Sequence, residues 1–137
     1  MIEGVEILPI SEFPLLKKYT DKFSLALSEV AFPYNNKIYT DSKVNHEIIV
    51  HEKVHFAQQK EHGLDNWIEQ YFENPQFRVN MEIEAYRAQL KEMIALAPQE
   101  AKTFVSNVVA GQMAKALSSP MYGNVLTYKE ALSKIQL

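Results

Sequence analysis

The chain has 137 residues, a formal net charge of −3 at pH 7 and an apolar content of 47%. This length and composition predict one compact domain over residues 1–137 with a hydrophobic core of its own. The slightly acidic balance gives no basic face, so we expect no nucleic-acid partner. Because the chain has no cysteine, disulfides and thiolate metal sites are excluded, and His, Asp and Glu are left as possible metal ligands.

The amino-terminal sequence MIEGVEILPI lacks the basic start and the long apolar run of a signal peptide. No apolar stretch in the chain reaches the roughly 18 residues that a membrane-spanning helix requires. We therefore expect a soluble, cytoplasmic protein that does not contact a membrane.

Short apolar and aromatic runs between residues 23 and 41 predict two or three short strands, which most simply form a small antiparallel sheet. The pair Asn35-Asn36 is a turn signal between the runs AFPY and KIYT. Pro33 indicates that its strand is at an edge or is broken, because proline cannot donate to the strand ladder.

The rest of the chain predicts helices. Residues 41–62 contain neither proline nor glycine, Asp41 or Ser42 could cap this helix, and Gly63 would end it. Four more helices are predicted, over residues 64–74, 76–97, 99–117 and 127–135, the last of them capped by Thr127. A small sheet followed by a helical bundle is an α+β fold.

The segment VHEKVHFAQQ (50–59) carries the most informative pattern of the chain. His51 and His55 are four residues apart on one helix face, so both rings can converge on one ion. Two imidazoles are typical of a catalytic zinc site. Glu52 lies about 100° round the helix from His51, where it can reach a zinc-activated water without ligating the ion. Glu52 would take the proton of that water as a general base and pass it to the leaving group.

The same short pattern also arises by chance, and the two histidines would then be solvated on a polar helix. Lys53 favours this alternative, because true sites usually carry an uncharged residue at that position. However, Lys53 is expected to point nearly opposite His51 and to remain in water. Ile48 and Val54 flank the histidine face, which favours a partly buried pair.

A catalytic zinc needs a third protein ligand. His62 lies roughly 10 Å along the helix from His55, which is too far for both to share an ion. His46 lies roughly 140° round the helix from His51 and is excluded as well. The third ligand must therefore come from another element.

The predicted helix over residues 76–97 offers two carboxylates. Glu82 shares the apolar side of that helix, where a carboxylate is costly unless it is paired or bound to a metal. Glu84 shares its side with Arg87 and Lys91, as in an ordinary solvated, ion-paired face. We therefore expect Glu82 to be the third ligand, the alternative being a carboxylate at the rim of the apolar stripe.

The motif HEKVH, followed 27 residues later by Glu82 and Ala85 in the spacing ExxA, resembles the HExxH…ExxA pattern of the gluzincin metallopeptidases. The similarity is greatest to minimal, single-domain gluzincin-like proteins and covers about residues 38–89. NKIYT before the helix and the glutamines after it are similar to the usual surroundings of that motif. SPMYGN (119–124) is similar to a segment of small phage-encoded peptidases of this type.

The resemblance implies a zincin-like fold with zinc bound by His51, His55 and Glu82, and with Glu52 as the general base. It also implies that NKIYT is an edge strand along which an extended peptide or protein substrate would lie. Many relatives have Asp or Asn at the position of Tyr86, where it orients the first histidine. Tyr86 could do so only through its hydroxyl, or another group takes that role.

Zinc hydrolases often use a further donor to stabilise the developing oxyanion. Tyr122, Tyr39 and His62 are the candidates, and packing or surface exposure is the simpler interpretation for each of them.

Two main functions remain open on the sequence. The first is a zinc-dependent hydrolase, most simply a small metallopeptidase, and the retained Glu52 favours it. The second is a non-catalytic protein of the same fold that binds a partner, which the small size favours. A zinc amidase acting on a non-peptide amide is a third interpretation. The sequence indicates neither the substrate nor the oligomeric state.

Overall fold

The computed structural model describes residues 1–23 and 30–136. The chain has the predicted α+β class, with a small sheet near its amino terminus and helices over the remainder. The described strands are β1 (Glu6–Leu8), β2 (Ala31–Tyr34) and β3 (Lys37–Thr40). They form a sheet in the order β1-β3-β2, in which β3 pairs with β1 in parallel and with β2 antiparallel.

Two expectations about this sheet are wrong. β2 and β3 pair antiparallel as predicted, but the sheet as a whole is mixed, because β1 adds to β3 in parallel. As a consequence, the NKIYT segment, which contains β3, lies in the centre of the described sheet and is not an edge strand. β2 is at the edge of the described sheet. This confirms the prediction that the strand containing Pro33 is an edge strand. The possible further strand over residues 24–29 lies outside the described residues.

Asn35 and Asn36 form the predicted turn between β2 and β3. Both residues have positive φ angles, 53° and 64°. Asparagine tolerates this left-handed conformation better than most residues, and the twist of such turns matches that of a two-stranded hairpin.

Seven α-helical segments are described, with a π-helical turn (Val105–Val109) between the fifth and the sixth. They are α1 (Leu16–Lys22), α2 (His46–His62), α3 (Leu64–Glu73), α4 (Pro75–Leu96), α5 (Lys102–Phe104), α6 (Ala110–Leu117) and α7 (Tyr128–Ile135). Across residues 1–23 and 30–136, none of these helices combines the length and the apolar character needed to cross a bilayer.

The start of α2 differs from the prediction. Asn45 caps the helix, and its side chain accepts a hydrogen bond from the backbone N–H of Ile48 at 3.0 Å. Asp41 instead accepts the backbone N–H of Ile10 at 3.2 Å, which ties the amino-terminal segment to the end of β3. Residues 41–45 are therefore a connection, whereas the end of α2 at Gly63 (φ 85°) agrees with the prediction.

Two large groups of buried side chains and a small one, formed by Val5, Ile38 and Ile49, make up the core of the described residues. The first is mainly aromatic and joins the sheet, α1 and α3; it includes Phe13, Tyr19, Phe32, Tyr39, Trp67, Tyr71 and Phe72. The second joins α4, α6 and α7 and includes Val79, Leu90, Ala114, Leu117, Ala131 and Ile135. The two long helices α2 and α4 pack directly on each other, so their facing side chains are removed from water.

Candidate metal centre

The packing of α2 on α4 brings His51, His55 and Glu82 together. All three are buried, with 8%, 1% and 6% of their surface exposed. Oε1 of Glu82 lies 2.9 Å from Nε2 of His51 and 3.0 Å from Nε2 of His55. Ligand atoms around a tetrahedral zinc ion lie about 3.3 Å apart, given bonds of 2.0 to 2.1 Å. The two distances from the carboxylate oxygen to the ring nitrogens are therefore close to those between neighbouring ligands of one metal ion.

Glu52 lies beside the two histidines and is also buried, with 5% of its surface exposed. Its Oε1 lies 3.8 Å from Nε2 of His51. Its Oε2 is the buried side-chain atom that lacks a hydrogen-bond partner within residues 1–23 and 30–136. A buried carboxylate oxygen without a partner is costly, and a water or an ion in the site would satisfy it.

Two alternative metal-binding sets share the histidine pair. The ligand atoms of His51, Glu52 and His55 lie within 4.8 Å of one another, so this group could hold an ion. Either Glu52 or Glu82 could be the third ligand beside the two histidines. Oε1 of Glu82 is within 3.0 Å of both ring nitrogens, whereas Glu52 is 3.8 Å from the nearer one. The distances favour Glu82 as the ligand and leave Glu52 free to act beside it.

The charges of the site perturb its titratable groups strongly. Burial raises the pKa of Glu52 from its usual 4.5 to about 7; the histidines oppose this rise and Glu82 adds to it. Burial alone would raise the pKa of Glu82 too, but His55 and His51 hold it well below its usual value. Burial would lower the pKa of His55, but Glu82 raises it to about 9. Without a metal, the site therefore contains an ion pair between His55 and Glu82 beside a carboxyl that titrates near neutrality.

The outer nitrogen of each histidine faces a glutamine. Nδ1 of His51 donates to Oε1 of Gln89 at 2.9 Å, and Nδ1 of His55 donates to Oε1 of Gln58 at 2.8 Å. The group that orients the first histidine is thus Gln89. Tyr86 instead packs its ring against His51, with 4.7 Å between the ring centroids. The sequence leaves the identity of this orienting group open.

Tyr71 is a site residue that the sequence reasoning missed. Tyr71 is buried, and its ring stacks on that of Trp67 with 4.7 Å between the centroids. However, its hydroxyl also donates to Oε2 of Glu82 at 2.5 Å. This bond fixes the second oxygen of Glu82 while Oε1 faces the histidines. In the sequence, an aromatic residue at helical spacing looks the same whether it only packs in the core or also donates a hydrogen bond to a site residue.

A cavity of about 300 Å³ opens next to the histidine pair. Its walls come from α1, β2 and the turn after α6, and include Tyr19, Ala31, Phe32, Pro33, Met121 and Tyr122. Of the three predicted oxyanion donors, Tyr122 lines this cavity. Tyr39 packs on Phe13 in the aromatic core, and His62 is exposed against Phe77, so neither lines it. Tyr19 was not predicted, because residues 1–30 carry no recognised pattern.

Comparison with known protein families, with curated proteins and with solved structures finds no match to this chain. The resemblance to gluzincins therefore remains a prediction from the sequence motif. The geometry of the site is the independent observation against which that prediction can be weighed.

The SPMYGN segment is held over the cavity by a buried arginine. Arg78 on α4 donates from Nε to the carbonyl of Met121 at 2.9 Å and from Nη1 to the carbonyl of Tyr71 at 2.6 Å. Gly123 follows with a φ of 73°, and a Cβ atom there would lie 2.5 Å from Cβ of Pro75. These contacts position Tyr122 at the cavity wall.

The residues that the sequence placed outside the site are outside it. Lys53 and Glu84 are exposed. His46 lies near the start of α2 with its Nδ1 2.8 Å from a carboxylate oxygen of Glu3. The positive charge of Lys53 therefore does not enter the cavity, which removes the main objection that the motif itself raised.

Proposed function

We propose that this protein is a zinc-dependent hydrolase, most simply a small metallopeptidase of the gluzincin type with a zincin-like fold. His51, His55 and Glu82 would hold the ion, and Glu52 would be the general base. The observation that carries the proposal is the position of Glu82 Oε1 within 3.0 Å of both Nε2 atoms, with the unpartnered carboxylate of Glu52 alongside. Two imidazoles and one carboxylate are a donor set of known zinc hydrolases.

Bound zinc would supply Lewis-acid activation of a water molecule. The chemistry that remains is proton transfer, and Glu52 is suited to it. Its carboxylate is buried beside the histidines, and one of its oxygens has no hydrogen-bond partner among the described residues, so that oxygen is free to take a proton. Glu52 would take a proton from the attacking water and deliver it to the leaving amine. Tyr122 at the cavity wall would donate a hydrogen bond to the developing oxyanion.

The substrate would lie along β2 rather than along β3. Ala31, Phe32 and Pro33 of β2 line the cavity, and β2 is at the edge of the described sheet. An edge strand offers backbone groups to an extended peptide without demanding a particular sequence. The central position of β3 rules out the strand that the motif had suggested.

The proposal is tested by incubating zinc-reconstituted protein with a complex peptide mixture and identifying new termini by mass spectrometry. The matched control is Glu52→Gln, which keeps all three proposed ligands. We expect wild-type protein to generate new termini and Glu52→Gln to reduce their rate of formation by at least about 100-fold, the usual contribution of a general base. If the zinc-loaded wild type generates no new termini, or generates them no faster than Glu52→Gln does, the chain is not a peptidase of this kind. A non-catalytic, partner-binding role would then be the better interpretation.

A further inference from the structure

We propose that Gln58 and Gln89 position the two zinc-binding histidines, and that they do so as neutral amides rather than as the carboxylates often found in this role. The inference rests on the proposed zinc site. It concerns which ring nitrogen of each histidine is available to the ion, and how much negative charge surrounds that ion.

The amide of Gln58 has one orientation only. Gln58 is 3% exposed and lies on α2, three residues after His55. Its Nε2 donates to the carbonyl of Met81 at 3.1 Å, and its Oε1 accepts from Nε1 of Trp67 at 3.3 Å. An indole N–H can only donate and a carbonyl can only accept, so the amide cannot be flipped. Oε1 is therefore the atom that faces His55 Nδ1 at 2.8 Å, which leaves Nε2 of His55 for the ion.

Gln89 faces Nδ1 of His51 from the other helix. It is seven residues after Glu82 on α4, and residues at this spacing lie on one helix face. Helix α4 therefore supplies both the carboxylate that faces Nε2 of His51 and the amide that faces its Nδ1, at 2.9 Å in each case. The ring of Tyr86 packs edge-on against His51. His51 is thus held through both nitrogens and across its ring.

Neutral partners suit the charge of this site. Among the described residues that line the cavity, Glu52 and Glu82 carry the carboxylates, and no lysine or arginine is present. Two carboxylates balance one divalent ion. Two more, at positions 58 and 89, would leave the buried centre with a net negative charge, which is costly away from water. A carboxylate partner also makes an imidazole a more basic ligand. The amides therefore orient the rings while leaving the ion a stronger Lewis acid that is held less tightly.

The test is the zinc affinity of the full chain, measured by competition with a chromophoric chelator. We expect Gln58→Met and Gln89→Met to weaken zinc binding by about 10- to 100-fold, the usual effect of losing such a partner. Gln89→Glu keeps an acceptor opposite Nδ1 of His51, so it should bind zinc more tightly than Gln89→Met does. That rescue would not occur if Gln89 merely filled space.

Gln59→Met is the matched control for the loss of a buried amide. Gln59 is the next residue on α2 and is equally buried, at 3% exposure. Its amide bonds the β2–β3 hairpin, at the carbonyl of Pro33 (2.8 Å) and the N–H of Asn35 (3.3 Å), and not a histidine. We expect Gln59→Met to lower the melting temperature of the metal-free protein while leaving its zinc affinity unchanged.

The visible absorption spectrum of the cobalt-substituted protein gives a second readout. It should change in Gln58→Met and Gln89→Met and be preserved in Gln59→Met. If wild type binds zinc and both histidine-facing Met variants bind it within about twofold of wild type, the positioning role is wrong while the zinc site stands. Equal losses of affinity in Gln58→Met and Gln59→Met would likewise refute it, because the effect would then come from the fold. If wild type binds no zinc, the proposed function fails first and this inference fails with it.

Discussion

Glu52 is expected to make the metal-free protein less stable above neutral pH. Its carboxyl is buried and has an oxygen without a hydrogen-bond partner among the described residues. Burial raises its pKa from 4.5 to about 7, so the folded protein holds this proton more tightly than the unfolded chain does. The stability gained from proton binding is complete below pH 4.5 and is lost as the pH rises through about 7.

A rise of the pKa from 4.5 to about 7 corresponds to about 3 kcal/mol of stability lost at pH 8. Glu52→Gln removes the charge but buries an amide with unpaired groups, which costs about 1 to 2 kcal/mol. We therefore expect Glu52→Gln to raise the free energy of unfolding by about 1 to 2 kcal/mol at pH 8. Near pH 5 the wild-type carboxyl is protonated in the folded protein, so the gain should disappear.

Urea denaturation in the presence of EDTA, followed by the fluorescence of the single buried Trp67, measures this difference. Glu84→Gln is the control: it removes an exposed carboxylate on α4 and should change stability by less than about 0.5 kcal/mol at either pH. A Glu52→Gln protein that is no more stable than wild type at pH 8 would refute the reasoning. So would a gain of equal size at both pH values.

Two further predictions concern the contacts around the site. Tyr71→Phe removes the hydroxyl that donates to Glu82 at 2.5 Å; zinc affinity, measured by chelator competition, should fall by about 10-fold, and an unchanged affinity would show that Glu82 needs no such support. Gly123→Ala places a methyl group 2.5 Å from Cβ of Pro75 at a positive φ angle, so urea denaturation should show a loss of more than about 1 kcal/mol, since such a site cannot accommodate Ala without strain. The same variant should reduce hydrolysis by displacing Tyr122, and wild-type stability in Gly123→Ala would contradict the contact.

Much of the site could be predicted because it depends on helix geometry. The spacing of His51 and His55 places both rings on one face, and the apolar stripe of α4 distinguishes Glu82 from Glu84. The structure brings His51, His55 and Glu82 together and leaves Glu84 exposed. The sequence did not indicate that Glu52 could compete with Glu82 as the third ligand, because the distances of the two carboxylates from the histidines depend on how two helices cross.

The surroundings of the site could not be predicted for the same reason. Gln89 and Tyr71 reach their partners only through the packing of α4 on α2 and α3, and neither type of residue signals such a role in a sequence. Tyr19 reaches the cavity from a segment without a pattern.

The pairing of the strands could not be predicted from the sequence either. The parallel addition of β1 to β3 is a long-range pairing of two short strands. Local alternation of apolar and polar residues indicates a strand but not its neighbour. This is why the sheet was expected to be antiparallel, whereas the edge position of β3 was expected from the resemblance to gluzincins.

We propose His51, His55 and Glu82 as the ligands of the metal site. Metal content by elemental mass spectrometry tests this assignment on untagged protein reconstituted with zinc, beside His51→Ala, Glu82→Gln, Glu52→Gln and Glu84→Gln. We expect about one zinc per chain in wild type, Glu52→Gln and Glu84→Gln, and loss of zinc in His51→Ala and Glu82→Gln. A wild-type protein without zinc would contradict the assignment. Zinc kept in Glu82→Gln but lost in Glu52→Gln would assign the third ligand to Glu52 and remove the general base from the mechanism.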